Sequence, residues 1–168
     1  AGRQVPLIRQ DMQRLRLHRP QDAVLCTCDG VNYLTDDKAL GHFLAAAHAA
    51  LKPGGALAFD VSSLHKLRTT LGDNTLTNTE GDVHYIWHNA WDERERLLRM
   101  RLYLYARQAG NAWALIEEEQ VQRGYDEAAL TRALSAAGFD EIRIFGDRHL
   151  NAPGPQEPRL HVLARKPI

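Results

Sequence analysis

A strand, a helix and a second strand follow one another between residues 22 and 61, and this order constrains the fold most. The run Asp22–Cys28 is apolar enough for a buried strand. Asp36 or Thr35 can cap the helix that follows, whose apolar residues recur at helical spacing as far as Leu51. Ala56–Val61 is a second apolar strand. Two apolar strands joined by a helical crossover indicate a parallel sheet.

The rest of the chain predicts further strands on either side of this unit. Val5–Gln10 is a short β-compatible run that precedes it. Three later runs, joined by the short polar connections "DERER" and "QAGNA", predict an antiparallel meander. These runs are Val83–Trp91, Leu97–Arg107 and Trp113–Arg123. We place the β insertion at residues 75–123 within a single domain of residues 1–168.

The chain closes with a helix and two strands. Asp126 is placed to cap a helix that Gly138 ends. Glu141–Phe145 and Arg159–Ala164 then predict an antiparallel hairpin across a long loop. The insertion's aromatic residues have two interpretations, ordinary core or the lining of an apolar substrate pocket.

The charge balance excludes several classes of partner. The chain has 21 basic and 21 acidic side chains, and they do not form long blocks of one sign. Nothing therefore predicts binding to nucleic acid or to an anionic membrane surface. The apolar runs are far shorter than the roughly 20 residues that span a bilayer, and the first residues lack a signal-peptide layout. We expect a cytoplasmic protein that does not bind membranes.

Neither the cysteines nor the histidines predict a metal site. Cys26 and Cys28 alternate within a strand-like run, and a C-x-C pair is a poor match to zinc-ligand spacing. We interpret both as small core thiols. His84 and His88 share one face of a strand, but no cluster of carboxylates or cysteines accompanies them.

Polar residues follow the first buried strand directly, in Cys28-Asp29-Gly30 and then Asn32-Tyr33. In an open α/β sheet, ligands bind beyond the carboxyl ends of the strands. The segment is therefore either a simple turn or part of a binding site.

Four short segments carry a resemblance to a known family. They are "CDGVNYL" from Cys28, "LKPGG" from Leu51, "FDVSS" from Phe59 and "AAGF" from Ala136. In this order the chain resembles a class I S-adenosylmethionine-dependent methyltransferase. The resemblance implies an α/β fold with a partial Rossmann-like sheet, in which parallel strands are joined by a C-terminal antiparallel hairpin, and an antiparallel β insertion.

Within that superfamily, the chain resembles a group of small bacterial methyltransferases. Their segment before the last helix resembles E-x-H-x-Q-R-x-Y, and here Glu118–Tyr125 reads "EEQVQRGY". Gln120 stands where histidine is expected, which argues against a catalytic histidine at that position.

The resemblance also implies roles for individual residues, with S-adenosylmethionine as cofactor. The carboxylate of Asp29 or the imidazole of His88 would take a proton from an acceptor that is a hydroxyl or an amine. Asp11 would accept a hydrogen bond from the adenine amino group while Met12 packs on the ring, although an Asp that merely ends a strand is the alternative. The remaining assignments are Cys28, Asp29 and Gly30 to the cofactor, and Asn32, Tyr33, Arg123 and Tyr125 to the substrate. For Arg123 and Tyr125, a solvated strand face is the alternative. Asp60, Ser62 and Ser63 would border the same cleft, with helix capping by the serines as the alternative.

The glycine-rich loop that opens this family's fold is not found in the sequence. We therefore expect the chain to be an N-terminally incomplete fragment with exposed strand edges, which favour a homodimer. The absence of a G-x-G-x-x-G fingerprint also disfavours other doubly wound nucleotide-binding enzymes. Two functions remain open: methyl transfer to a small-molecule acceptor, and a catalytically silent subunit that associates with itself or with a partner.

Overall fold

The computed structural model describes residues 5–110 and 112–168. These residues form two four-stranded sheets and two α-helices. The first sheet contains β1 (Gln21–Cys26), β2 (Leu51–Ser62), β7 (Asp140–Phe145) and β8 (Arg159–Arg165). The second contains β3 (Thr75–Glu80), β4 (Val83–Asp92), β5 (Leu97–Arg107) and β6 (Trp113–Arg123). No helix among the described residues is long and apolar enough to span a membrane.

The first sheet has the strand order β1-β2-β8-β7. β1 and β2 are parallel, with Cys26 opposite Phe59, and helix α1 (Asp37–Ala50) connects them. β8 pairs antiparallel with both β2 and β7. The predicted parallel pair, crossover helix and closing hairpin are therefore confirmed.

The main core lies on one face of this sheet. α1 and helix α2 (Glu127–Ala136) cover that face, where alternate residues of β2 and β8 join their apolar side chains. Asp36 Oδ1 accepts a hydrogen bond from Ala39 N at 2.7 Å, and Asp126 Oδ1 accepts one from Ala129 N at 2.7 Å. Gly138, with φ 88°, follows the end of α2 in a left-handed conformation that favours glycine. The predicted caps and helix end are thus confirmed.

The second sheet is a meander in which β3, β4, β5 and β6 pair in chain order, all antiparallel. The sequence predicts three of these strands and misses β3. Its segment "TLTNTE" alternates threonine with other residues, which suits an exposed strand, but the flanking Gly, Asp and Asn are typical of turns. A smaller apolar cluster on this sheet joins Leu98 and Met100 to Leu67, with Trp87 and Trp91 packed against it.

The predicted strand Val5–Gln10 is wrong. These residues have no strand partner among the described residues, and Val5, Leu7 and Ile8 expose 75%, 94% and 58% of their surface. A short apolar run alone does not make a strand, because an extended segment without a neighbour gains no ladder hydrogen bonds.

The segment "LKPGG" does not separate α1 from β2 as predicted, because α1 ends at Ala50 and β2 begins at Leu51. The strand is irregular there, since its register against β1 shifts between Gln21 and Ala23. Gly54 permits this irregularity with φ 74°.

The interpretation of both cysteines as core thiols is wrong for Cys28, whereas Cys26 packs against the main core. Cys26 is half-buried and Cys28 is exposed. β1 ends at Cys26, so the strand alternation that would place both thiols on one face does not reach Cys28.

Candidate functional site

A cavity of about 640 Å³ opens on the sheet face opposite α1 and α2. Leu25, Ala58 and Leu163 contribute to its apolar floor, and His161 and Phe145 line it further along. Its rim at the carboxyl ends of β1 and β2 is polar. This volume lies within the range of roughly 300–1,000 Å³ that small-molecule sites occupy.

The rim begins with a strained turn. Cys28 and Asp29 have φ 62° and φ 59°, which places two consecutive non-glycine residues in the left-handed region. Each costs roughly 1–2 kcal/mol there, and such residues concentrate at functional sites. Asp29 N donates to Asp60 Oδ2 at 3.3 Å and Asn32 N donates to Asp29 O at 2.9 Å, so both sides of the turn are tied down.

A cluster of charged side chains contacts this turn. Arg159 Nη1 donates to both Asp29 Oδ1 and Asp60 Oδ2. The second oxygen of Asp29, Oδ2, accepts a hydrogen bond from Ser62 Oγ at 3.0 Å. Lys66 Nζ donates to the same Ser62 Oγ at 3.2 Å, which brings a second cation close to the cluster.

Sequence reasoning identified the carboxylates of this cluster but missed Arg159 and Lys66. Arg159 is 130 residues from Asp29 along the chain. It reaches the rim because β8 runs antiparallel to β2, with Arg159 opposite Ser62. One sequence signal could have identified Arg159. It is a cationic residue at the start of β8, a strand that begins beside the carboxyl end of β2.

These contacts set the ionisation of Asp29. Burial opposes its negative charge, but the hydrogen bond from Arg159 and the charge of Arg159, helped by Ser62 and Lys66, hold the pKa of Asp29 below its ordinary value. Although burial acts against it, pairing with the two carboxylates raises the pKa of Arg159. Asp29 is therefore a fixed anion and a weak proton acceptor near neutral pH.

Two of the residues predicted to bind the substrate are buried and hydrogen-bonded within the protein. Asn32 is fully buried, and its Nδ2 donates to Ser62 O at 3.0 Å and to Arg123 O at 2.9 Å. Its Oδ1 accepts from Ser62 N at 2.8 Å. Tyr125 is also buried and donates its hydroxyl to Leu34 O, and burial raises the pKa of Tyr125 to about 12. The polar atoms of both side chains are therefore engaged inside the protein.

Tyr33 and Arg123 differ in how much of each side chain remains free to contact a ligand. Tyr33 is 46% exposed, and its hydroxyl donates to Gln120 Oε1 at 2.7 Å. Arg123 Nη1 lies 2.9 Å from Asp37 Oδ1, and its guanidinium carbon lies 5.2 Å from the centroid of the Tyr125 ring. Tyr33 and Gln120 therefore mark the side of the second sheet that faces the turn after β1.

His88 lies on the opposite face of the second sheet. It is paired with Arg101, which is paired with Glu119, so these three share a face and the adjacent Gln120 points to the other. Thr75 Oγ1 lies 2.8 Å from His88 Nδ1. The structure does not bring His88 and Asp29 together.

Asp11 and Met12 are likewise separate from the cavity. Asp11 Oδ1 accepts a hydrogen bond from Gln13 N at 2.9 Å and so caps a short 3₁₀ turn, Met12–Arg14. Met12 packs against the main core. Of the residues predicted to bind the cofactor, Cys28 and Asp29 line the cavity, and half-buried Gly30 follows them directly.

Comparisons with known proteins agree on one fold. The chain is 29% identical over 162 residues to a Bacillus subtilis (strain 168) protein named "Putative methyltransferase YqeM", covering 95% of this chain and 64% of the relative. An S-adenosylmethionine-dependent methyltransferase from Clostridium acetobutylicum superposes with a TM-score of 0.85 at 25% identity, covering 95% of this chain and 63% of that one.

The chain has the fold of an S-adenosylmethionine-dependent methyltransferase. The predicted α/β class and the resemblance to class I enzymes are thereby confirmed. A more distant methyltransferase fold is that of CalS10, an amino pentose methyltransferase from Micromonospora echinaspora, with a TM-score of 0.68, 20% identity, and coverage of 94% of this chain and 63% of that one. The chain thus spans just under two thirds of the length of these methyltransferases. No family model matches the sequence.

Proposed function

We propose that this protein transfers a methyl group from S-adenosylmethionine to a small-molecule acceptor. The observation that carries the proposal is Asp29, an anion fixed at the mouth of an apolar cavity beyond the carboxyl end of a parallel strand. The methyltransferases with which the chain shares its fold support it.

The residues around the cavity fit the cofactor's chemistry. When bound, S-adenosylmethionine supplies an electrophilic methyl group on a positively charged sulfur and also carries an ammonium group. Asp29 and Asp60 offer carboxylates to such a cation, and Cys28 and Gly30 flank the first of them. The apolar floor around Leu25 and Leu163 suits an aromatic base.

The acceptor side is assigned to Tyr33 and Gln120. Their hydrogen-bonded pair presents polar groups that can orient a hydroxyl or an amine for in-line displacement. The lowered pKa of Asp29 favours a role as a counter-charge over a role as general base. His88 faces away from this side of the sheet, so we assign it no proton transfer. CalS10, which acts on an amino pentose, illustrates a small-molecule acceptor on this fold.

Calorimetric titration with S-adenosylhomocysteine tests the proposal, using the protein expressed from its whole reading frame. We expect binding by the wild type and about tenfold weaker binding by Asp29→Asn, since one charged contact is lost. Asparagine tolerates the left-handed region, so this change keeps the turn. Asp82→Asn, in the exposed turn between β3 and β4, is the matched control with unchanged affinity. Absence of binding by the wild type would contradict the proposal.

The edge of the first sheet favours a second candidate function, self-association. Among the described residues β1 is an edge strand, and its Leu25 is 72% exposed. Such an edge pairs readily with another strand. Sedimentation of the wild type should then show a dimer that Leu25→Lys disrupts, whereas a wild type that remains monomeric at high concentration excludes this function.

A further inference from the structure

The carboxylates of Asp29 and Asp60 share one hydrogen-bond donor, Arg159 Nη1. Asp60 Oδ2 accepts the backbone hydrogen bond of Asp29, and the same oxygen accepts a hydrogen bond from Arg159 Nη1. Arg159 Nη1 also donates to Asp29 Oδ1. A single guanidinium nitrogen therefore bridges two carboxylates that would otherwise repel each other.

The cluster has few other sources of positive charge. Lys66 reaches it only through Ser62 Oγ, which it contacts at 3.2 Å. His161 lines the same cavity, but it lies 3.6 Å from Asp147 Oδ1 on the following loop. Without Arg159, two neighbouring carboxylates would share a largely buried site, and their repulsion would favour protonation of one of them.

Arg159 also stabilises the left-handed turn at Cys28 and Asp29. Strained backbone of this kind persists only where the surrounding contacts hold it. The bond from Arg159 to Asp29 Oδ1 and the bond from Ser62 to Asp29 Oδ2 engage both oxygens, so the carboxylate cannot rotate freely.

We propose that Arg159 is a positioning residue that holds Asp29 and Asp60 as a fixed, doubly ionised pair facing the positively charged end of the cofactor. This inference rests on the proposed function, because it takes the ligand to be a cation. Arg159 acts through the two carboxylates and transfers no proton itself.

The test compares Arg159→Met and Arg159→Lys with the wild type, using S-adenosylhomocysteine titrations between pH 5 and pH 8 on the protein from its whole reading frame. The wild type should bind with nearly constant affinity. Arg159→Met should bind about tenfold more weakly at pH 5 than at pH 8, because one carboxylate becomes protonated across this range. Arg159→Lys should restore a flat profile, since it returns the positive charge.

Two controls separate this role from a merely structural one. Only the difference between each variant and the wild type reports on Arg159. Arg99→Met, an exposed substitution on β5, should leave the profile unchanged. The double variant Arg159→Met with Asp60→Asn removes the second carboxylate and should flatten the profile again. An Arg159→Met profile parallel to that of the wild type overturns the proposal.

A second readout does not depend on the ligand. In thermal unfolding, Arg159→Met should be destabilised relative to wild type more at pH 7 than at pH 5, because protonation of one carboxylate in the folded state relieves the repulsion as pH falls. The Asp60→Asn double variant should not show this pH dependence. If the wild type binds no S-adenosylhomocysteine but the two variants show this unfolding pattern, the proposed function fails while the role of Arg159 on the two carboxylates stands. If the unfolding of wild type and Arg159→Met depends equally on pH, the role of Arg159 is contradicted. This holds even if Arg159→Met is less stable than wild type at every pH.

Discussion

Replacement of Asn32 by alanine should destabilise the protein strongly, although sequence reasoning placed this residue at the substrate. Its amide joins the turn after β1 to the end of β2 and to the end of β6. The side chain is fully buried, so water does not replace these bonds without a local rearrangement.

The magnitude follows from the groups that lose their partner. Asn32→Ala leaves Ser62 N, Ser62 O and Arg123 O each without the side-chain bond seen here, at 2.8, 3.0 and 2.9 Å. A buried group that loses its partner costs about 1–3 kcal/mol. Taking the lower end for each gives a loss of about 3 kcal/mol in the free energy of unfolding. For a domain of this size, that lowers Tm by about 6–12 °C.

Urea unfolding followed by circular dichroism measures this loss, with thermal unfolding as the second probe. Asn78→Ala, an exposed asparagine on β3, is the matched control and should change the free energy of unfolding by less than about 0.5 kcal/mol. A loss below about 1 kcal/mol for Asn32→Ala, with an unchanged m-value, would refute the reasoning that this amide holds the two sheets together.

Three further predictions follow from single contacts. Cys28→Gly should raise the free energy of unfolding by about 0.5–1 kcal/mol in urea unfolding, because glycine relieves the left-handed strain at φ 62°; a destabilised variant would contradict this. Tyr125→Phe should lose about 1–2 kcal/mol in the same assay, since Leu34 O loses its buried donor, and an unchanged stability would show that this bond contributes nothing. Asp126→Ala should lose about 1 kcal/mol at pH 7 by removing the cap of α2. Burial opposes ionisation there, but the Ala129 N–H and Arg96 outweigh it and hold the pKa of Asp126 below its ordinary value. A lowered carboxyl pKa stabilises the fold above the unfolded pKa of about 4 and ceases to do so as pH falls through the folded pKa. The gap in Tm between wild type and Asp126→Ala should therefore shrink below pH 4, and a gap that widens there would contradict the assignment.

Local signals predicted the frame of the fold well. Asp36, Asp126 and Gly138 specify helix ends through contacts within a few residues, and the structure places them as predicted. Such interactions are visible in sequence because both partners lie close together along the chain. β3 and Val5–Gln10 failed because their state depends on whether a neighbouring strand is present, which local composition does not determine.

The candidate site was predicted only in part for a related reason. Asp29 was found because it follows a buried strand directly, whereas Arg159 arrives from a strand that returns late in the chain. Asn32 and Tyr33 are adjacent and polar, yet one is fully buried and the other is 46% exposed. Sequence alone could not assign these burials, because they depend on how the second sheet packs against the turn.

A crystal structure of the protein from its whole reading frame with S-adenosylhomocysteine bound tests the central claim most directly. The account predicts that the ligand occupies the cavity beyond β1 and β2, with its ammonium group within hydrogen-bond distance of Asp29 or Asp60 and with Arg159 still bridging them. A ligand bound elsewhere, without contact to residues 28–30, would contradict it.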